Sequence, residues 1–373
     1  MQSKAFPTPR DNTPINWVNV IYLLGVPLGA LTLVPWAIYH GYATQGILIY
    51  TAIHYFIDTF SITTGYHRLV SHKSFEAHPW LKAILMFTGA GAMQNSVLIW
   101  ATDHRIHHSF EDTEKDPYNI KRGFLWAHWG WMFYKDNPDY IKKVPQDLAN
   151  DPIVAWQHRV YLPLALFVCF GIPTIAGWMM GNIIGGFVFG AVLRVFVSSH
   201  CTFLINSACH YFGKTTYTKE LTARDNWFIA LFTCGEGFHN FHHKFQTDYR
   251  NGLRWFHWDP TKWGINLFSW LGLATNLRTV SDDKILQARL LTEQQILAEK
   301  GANTERLNFL KNALIQLQEE HRALILKFKN LGKNSDDNVI ELKNKLRTCK
   351  KRLSQSYREW NSERKLLLAK VAA

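Results

Sequence analysis

Cysteine is scarce in this chain and has no pattern: Cys169, Cys201, Cys209, Cys234 and Cys349 are scattered, with no C-x-x-C pair among them. That scatter argues against a disulfide framework and against a thiolate zinc site. Acidic residues are outnumbered, 29 against 41 lysines and arginines, which leaves a net charge of +12. The opening MQSKAFPTPRDNTPIN holds no apolar segment, so no cleaved signal peptide is expected. Charge itself is nearly missing from four stretches, at 17–39, 43–64, about 160–180 and 183–206.

Each of those stretches is close to the ~20 apolar residues that cross a bilayer as a helix. Four spans are expected, arranged as two hairpins with tiny connections at HGYA (40–43) and Gly181-Asn182. Neither connection carries lysine or arginine, whereas the N-terminus, residues 65–159 and everything after 207 are rich in both. The positive-inside rule then places both termini and the remaining mass in the cytoplasm. On that reading the positive charge faces anionic lipid, and nucleic acid is not an expected partner.

The end of the chain has a different pattern. Leu307, Leu310, Leu314, Leu317, Leu324, Phe328 and Leu331 keep three-four spacing, and after GKNSDD a second run follows at Val339, Leu342, Leu346, Cys349, Leu353, Trp360 and Leu367. This is coiled-coil grammar, expected as a helical hairpin, a self-associating rod or one solvated basic helix. The expected division is a membrane domain over 1–284 and a basic helical tail over 285–373.

Histidine is what the chain has in concentrated form. HRLVSH holds His67 and His72, HRIHH holds His104, His107 and His108, and HNFHH holds His239, His242 and His243. Residues three and four apart share a helix face, so the second and third groups can each converge on a point. Asn206 and His210, four apart at the end of the last span, share a face in the same way. A five-residue step turns roughly 140° round a straight helix, so the helix is expected to end near His67, with His72 reaching back from a turn. Nine histidines exceed what one zinc site needs and suit two metals with four or five nitrogens each. Imidazole-rich, carboxylate-poor coordination fits iron that activates oxygen.

HRLVSH, QNSVLIWATDHRIHH, NSACH and GEGFHNFHH, in this order, resemble the histidine boxes of the membrane fatty-acid desaturases. The similarity is strongest to the acyl-CoA delta-nine (stearoyl-CoA type) branch, bacterial members included, and covers about residues 15–280. The resemblance implies an all-α integral membrane protein with four transmembrane helices and a cytosolic helical cap holding two irons. Its ligands carry over onto His67, His72, His104, His107, His108, His210, His239, His242 and His243, with Asn206 acting through a water. Asp103 and Glu236, each close to ligands, are candidates to orient imidazole N–H groups.

The implied reaction removes two hydrogens from a saturated C16 or C18 acyl chain, using O2 and two electrons, and leaves a cis double bond at carbon nine. No side-chain acid or base attacks an unactivated methylene, so the hard chemistry belongs to the cofactor. By the same resemblance Gln94, Trp100 and Thr202 shape a bend in the acyl tunnel, Asn95 holds the thioester carbonyl, and Tyr55 and Thr59 close the far end. Lys135 matches a phosphate-binding arginine, but Phe203, Thr102 and Asp136 stand where animal relatives carry headgroup-binding residues. These departures leave lipid-bound or carrier-bound acyl chains open beside acyl-CoA. A di-iron hydroxylase would use the same boxes, while a non-enzymatic metal carrier would need more polar sites along the spans than His54, Asp58, Arg194 and His200 supply. With no HPGG-type haem segment or flavin fingerprint, an external donor such as a ferredoxin or small cytochrome is expected.

Overall fold

The computed structural model describes residues 13–135, 143–330 and 336–372, so the expectations at Asp136 and Leu331 lie outside the described residues. The chain divides into two compact units, Met1–Lys214 with Leu221–Thr279, and Thr215–Glu220 with Val280–Ala373.

The first unit is mostly helical. Its principal helices are α1 (Trp17–Tyr39), α2 (Gln45–Ser61), α3 (Pro79–Gly89), α4 (Val97–Phe110), α5 (Tyr161–Met179), α6 (Ile183–Tyr211), α7 (His239–Lys244) and α8 (Pro260–Trp270). A two-residue antiparallel pairing of Glu76–Ala77 with Ala274–Thr275 departs from the all-α expectation.

Helices α1, α5 and α6 are long and apolar enough to cross a membrane, and the segments Pro79–Ala92 and Val97–Phe110 qualify only as a pair bent by 82°. The expected span at 43–64 is helical as α2 but is not among them. Its interior face carries polar groups: His54 and Asp58 are buried there, and Asp58 pairs with buried Arg194 of α6. The two short connections meet, because Asn182 donates from Nδ2 to the Tyr42 carbonyl at 2.9 Å and accepts from the Gly185 N–H at 2.8 Å. Helices α5 and α6 touch backbone to backbone, since a Cβ on Gly177 would lie 2.7 Å from Gly186 Cα.

The expected helix end near His67 is not found. The helix widens into a π-helix over Ile62–Ser71, and the His72 N–H donates to the His67 carbonyl at 3.1 Å. An i→i+5 ladder turns less per residue than an α-helix and so brings residues five apart closer to one face. Such bulges need packing to hold them. Here the π-segment is wholly buried over Tyr66, Phe75, Leu85, Met86, Val97 and Ile265.

The second unit packs α9 (Asp282–Glu299), α10 (Glu305–Asn330) and α11 (Asp336–Ala372) round Leu290, Leu297, Leu307, Leu310, Leu314, Trp360 and Leu367. The two apolar runs read from the sequence face each other as a helical hairpin, with Cys349 against the Leu317 carbonyl. Trp360 donates its indole N–H to Glu293 at 2.7 Å, which satisfies the polar end of a fully buried ring.

Candidate metal centre

The π-segment, α4, α6 and α7 bring all nine box histidines together in two groups. His67, His72, His104, His108 and His242 form one, and His107, His210 and His243 form the other, joined by His239. In the first group His104 Nε2 lies 2.8 Å from that of His72 and 3.1 Å from that of His108. His242 Nε2 lies 3.0 Å from those of both His67 and His108. In the second, His239 Nε2 is 3.1 Å from that of His210 and 3.0 Å from that of His243.

These contacts are not a hydrogen-bond network. A ring nitrogen carries one proton or one in-plane lone pair, so it supports a single good hydrogen bond, yet His104, His108, His242 and His239 each meet two neighbours through one atom. Convergent lone pairs need a common cation. Nitrogens ~2.1 Å from one ion and at right angles lie about 3.0 Å apart, which is the spacing seen. His107 Nε2, buried in the second group, has no protein partner. The residues therefore fit two metal ions.

The outer ring nitrogens are held by a second layer. His67 Nδ1 is 2.8 Å from Glu236, His107 Nδ1 is 2.8 Å from Asp116, and His243 Nδ1 is 2.5 Å from Glu111. His210 Nδ1 meets the Thr222 hydroxyl at 2.8 Å. An acceptor at Nδ1 places the proton there and frees Nε2 for ligation. Burial would raise the Glu236 carboxyl, but His67 and Arg68 outweigh it and hold it down at about 2. Burial and His107 hold His239 at about 3, and burial lowers His242 and His243, so these rings are neutral and able to ligate near neutral pH.

Of the two carboxylates read from the sequence, Glu236 reaches an imidazole and Asp103 lines the cavity beside His104. Glu111, Asp116 and Thr222 were missed. The acid-rich SFEDTEKDPY directly after HRIHH was a signal for the first two. Nothing local marked Thr222.

A cavity of about 1200 Å³ runs past His67, His104, His107 and His239, with Asn206 on its wall. Gln94, Trp100 and Thr202 meet on it: Gln94 donates to the Thr202 hydroxyl at 2.8 Å and accepts from the Trp100 indole at 3.3 Å. Trp100 also stacks on His104 with centroids 4.8 Å apart. Asn95 takes a left-handed φ of 78°, and its N–H donates to the Tyr161 hydroxyl at 2.9 Å. Thr59, Lys135 and Phe203 line the cavity. Tyr55 is not in the lining and donates its hydroxyl proton to the Phe232 carbonyl. Thr102 turns its hydroxyl back to the Leu98 carbonyl.

Residues 43–265 match the family described as Fatty acid desaturase. The chain is 36% identical over 328 residues to Acyl-CoA desaturase 1 of Saccharomyces cerevisiae, a match covering 84% of this chain and 62% of that one. That coverage exceeds what 15–280 alone would supply, so the likeness reaches into the tail. It is 34% identical to Stearoyl-CoA desaturase 5 of Homo sapiens, over 73% of this chain and 83% of the relative. With the sn-1 stearoyl-lipid 9-desaturase of Anabaena variabilis it shares 34%, over 71% and 94%. The chain spans only 62% of the length of the Saccharomyces cerevisiae relative. On the matched boxes and the two convergent histidine groups, this chain belongs to the fatty acid desaturase family.

Proposed function

We propose that this chain is an O2-dependent desaturase that inserts a cis double bond at carbon nine of a saturated C16 or C18 acyl chain carried as a CoA thioester. The observation that carries this reading is the cavity, which passes both histidine groups and is lined by the hydrogen-bonded Gln94, Trp100 and Thr202 beside His104, where this reading puts the elbow of the acyl chain. One iron would be held by His67, His72, His104, His108 and His242, and the other by His107, His210, His239 and His243, with Asn206 available to the second. Iron in these places supplies the redox change that oxygen activation needs. The protein's own work is to fix the rings through Glu236, Asp116, Glu111 and Thr222, to exclude water, and to hold one methylene pair at the elbow. Burial, Asp112 and Asp116 raise the Glu111 carboxyl to about 9, and Glu111 lies 2.5 Å from His243 Nδ1, where as a carboxylate it would accept the ring proton and leave Nε2 free to ligate.

In the membrane α1, α2, α5 and α6 are the four spans. The bond between Asn182 and Tyr42 supports this, since it puts both short connections at one end. The bent pair α3 and α4, which carries three box histidines, belongs to the cytoplasmic cap. Electrons come from a separate ferredoxin or small cytochrome docked on the basic cap, and membrane lipid and self-association through the tail are further contacts of the intact protein.

A lipid-bound acyl chain is the second reading, favoured by Thr102 facing its own helix and by a relative named for a stearoyl-lipid. Expression in cells lacking monounsaturated chains tests the activity. Products two hydrogens lighter at carbon nine are expected, and a gain of one oxygen instead would make the protein a hydroxylase. Supplying purified protein with acyl-CoA or with acyl-lipid then decides the carrier.

A further inference from the structure

The ion pair of Asp58 on α2 and Arg194 on α6 has no part in the chemistry above. Both residues are fully buried, although α6 is long and apolar enough to cross a membrane. Charges in such a segment are costly to keep and mark a working position. The remaining donors of the guanidinium tell what the pair holds. Nε donates to the Gly190 carbonyl of its own helix at 2.8 Å, and Nη2 to the Cys169 carbonyl of α5 at 3.2 Å. Nη1, which meets Asp58, also donates to the Gly91 carbonyl at 3.2 Å.

Gly91 stands just before the 82° bend between α3 and α4. It is pressed against the pair, since a Cβ there would come 3.0 Å from Asp58 Oδ1 and 2.6 Å from Val168 Cγ1. The turn at 91–95 does not set its own shape. Met93 and Asn95 hold left-handed φ angles of 57° and 78°, a conformation that a residue with a Cβ keeps only where its surroundings impose it. Here those surroundings are Arg194 at Gly91, Thr202 at Gln94 and the Tyr161 hydroxyl at the Asn95 N–H. Arg194 and Thr202 both stand on α6, so one helix carries the ion pair and the partner of Gln94. Gln94 is what the turn brings to the cavity, where it meets Trp100 beside His104.

We infer that the pair of Asp58 and Arg194 sets the position of the double bond: by fixing the turn at 91–95 it holds Gln94 at one depth in the cavity, and so decides which carbon of the acyl chain lies beside the metals. The inference rests on the desaturase reading proposed above. Asp58 and Arg194 are positioning residues, because they act through Gln94.

The test reads the position of the double bond, by mass spectrometry, in lipids of cells that lack monounsaturated chains and express the full-length protein. Arg194→Lys keeps a buried charge opposite Asp58 but cannot place donors on Gly91, Cys169 and Gly190 together. It is expected to raise the share of double bonds at neighbouring carbons about tenfold, the size of one lost hydrogen bond from a charged donor. Gln94→Ala is expected to do the same, and adding Arg194→Lys to it should change the distribution no further, because both act through one side chain. A role in stability alone would lower yield and thermal midpoint and leave the double bond where the wild type puts it. That outcome overturns the inference, and so does a further shift in the double variant. Should Arg194→Lys not accumulate in the membrane, Asp58→Asn with Arg194→Gln removes both buried charges together and is judged by the same outcomes. A wild-type chain that makes no unsaturated product would remove the desaturase reading itself, a result visible before any variant is compared.

Discussion

His67 and His72 are five residues apart in sequence, and their ring centroids lie 4.7 Å apart at right angles in the same histidine group. The π-helix between them makes that possible. It is wedged against α3, where a Cβ on Gly65 would come within 2.9 Å of both Leu85 Cβ and Met86 Cε. Gly65→Ala should therefore cost about 1–3 kcal/mol by overpacking and loosen the first metal. Thermal unfolding with metal analysis checks this, and a variant with unchanged midpoint and two metals would show that the segment has room to spare.

Glu236 links His67 to a buried charge network, since Arg68 reaches Glu236 at 2.9 Å and Asp259 at 3.0 Å. Glu236→Gln should weaken metal binding by about 10- to 100-fold while keeping the fold. Glu236→Ala removes one of Arg68's two carboxylates and should also destabilise the protein, by a few kcal/mol. Metal titration and denaturation separate the two effects. Equal behaviour of both variants would mean that the charge alone counts and that the reach Gln retains contributes nothing.

His107→Ala, His210→Ala and His242→Ala should each abolish unsaturated product. The protein should still reach the membrane, because the apolar lengths of α1, α5 and α6 do not depend on metal. Product analysis beside membrane fractionation reads both. Substantial residual activity in any of the three would remove that histidine from the ligand set.

Thr59 lines the cavity, whereas Tyr55, four residues earlier, is tied to Phe232. Thr59→Ala should shift preference from sixteen- toward eighteen-carbon chains. A buried methylene contributes ~0.8 kcal/mol, so the shift should be about fourfold. Competition between the two chain lengths measures it, and an unchanged ratio would place the end of the tunnel elsewhere.

Arg105 clamps the end of the π-segment by donating to the Val70 and Ser71 carbonyls, and Asp147 holds Arg105 with two 2.9 Å bonds. Arg105 first, then Lys73, depresses the Asp147 carboxyl below its ordinary 3.8 against the opposing effect of partial burial. A depressed carboxylate stabilises the fold fully above its unfolded value and loses that contribution as pH falls through the lower folded one. Asp147→Asn should thus cost up to about 1 kcal/mol at neutral pH, a small figure because the pair is partly exposed. The difference from wild type should shrink below pH 3.8. Thermal midpoints over an acid series test this, and a difference that stays constant would assign it to packing.

Much of the site was legible in the chain itself. Spacings of three and four put His104, His107 and His108 on one helix, and His239, His242 and His243 on another, because helix periodicity is local. Runs of about twenty apolar residues marked α1, α5 and α6 for the same reason: a bilayer tests length and composition, which are properties of a segment. Adjacent residues within one box go to different groups, His107 to one and His108 to the other, and only the packing of α4 between the π-segment and α7 decides which. The π-helix was illegible because its wider backbone is held by long-range burial against α3 and α4, and the pattern of its own residues does not encode it. The stretch at 43–64 read as a span, yet its helix α2 carries His54 and Asp58, and only the tertiary structure shows that Asp58 is buried against Arg194, 136 residues away in sequence. Glu111, Asp116 and Thr222 are hydrogen-bond partners by virtue of loop conformation, and an acceptor's reach of about 3 Å is set by tertiary structure.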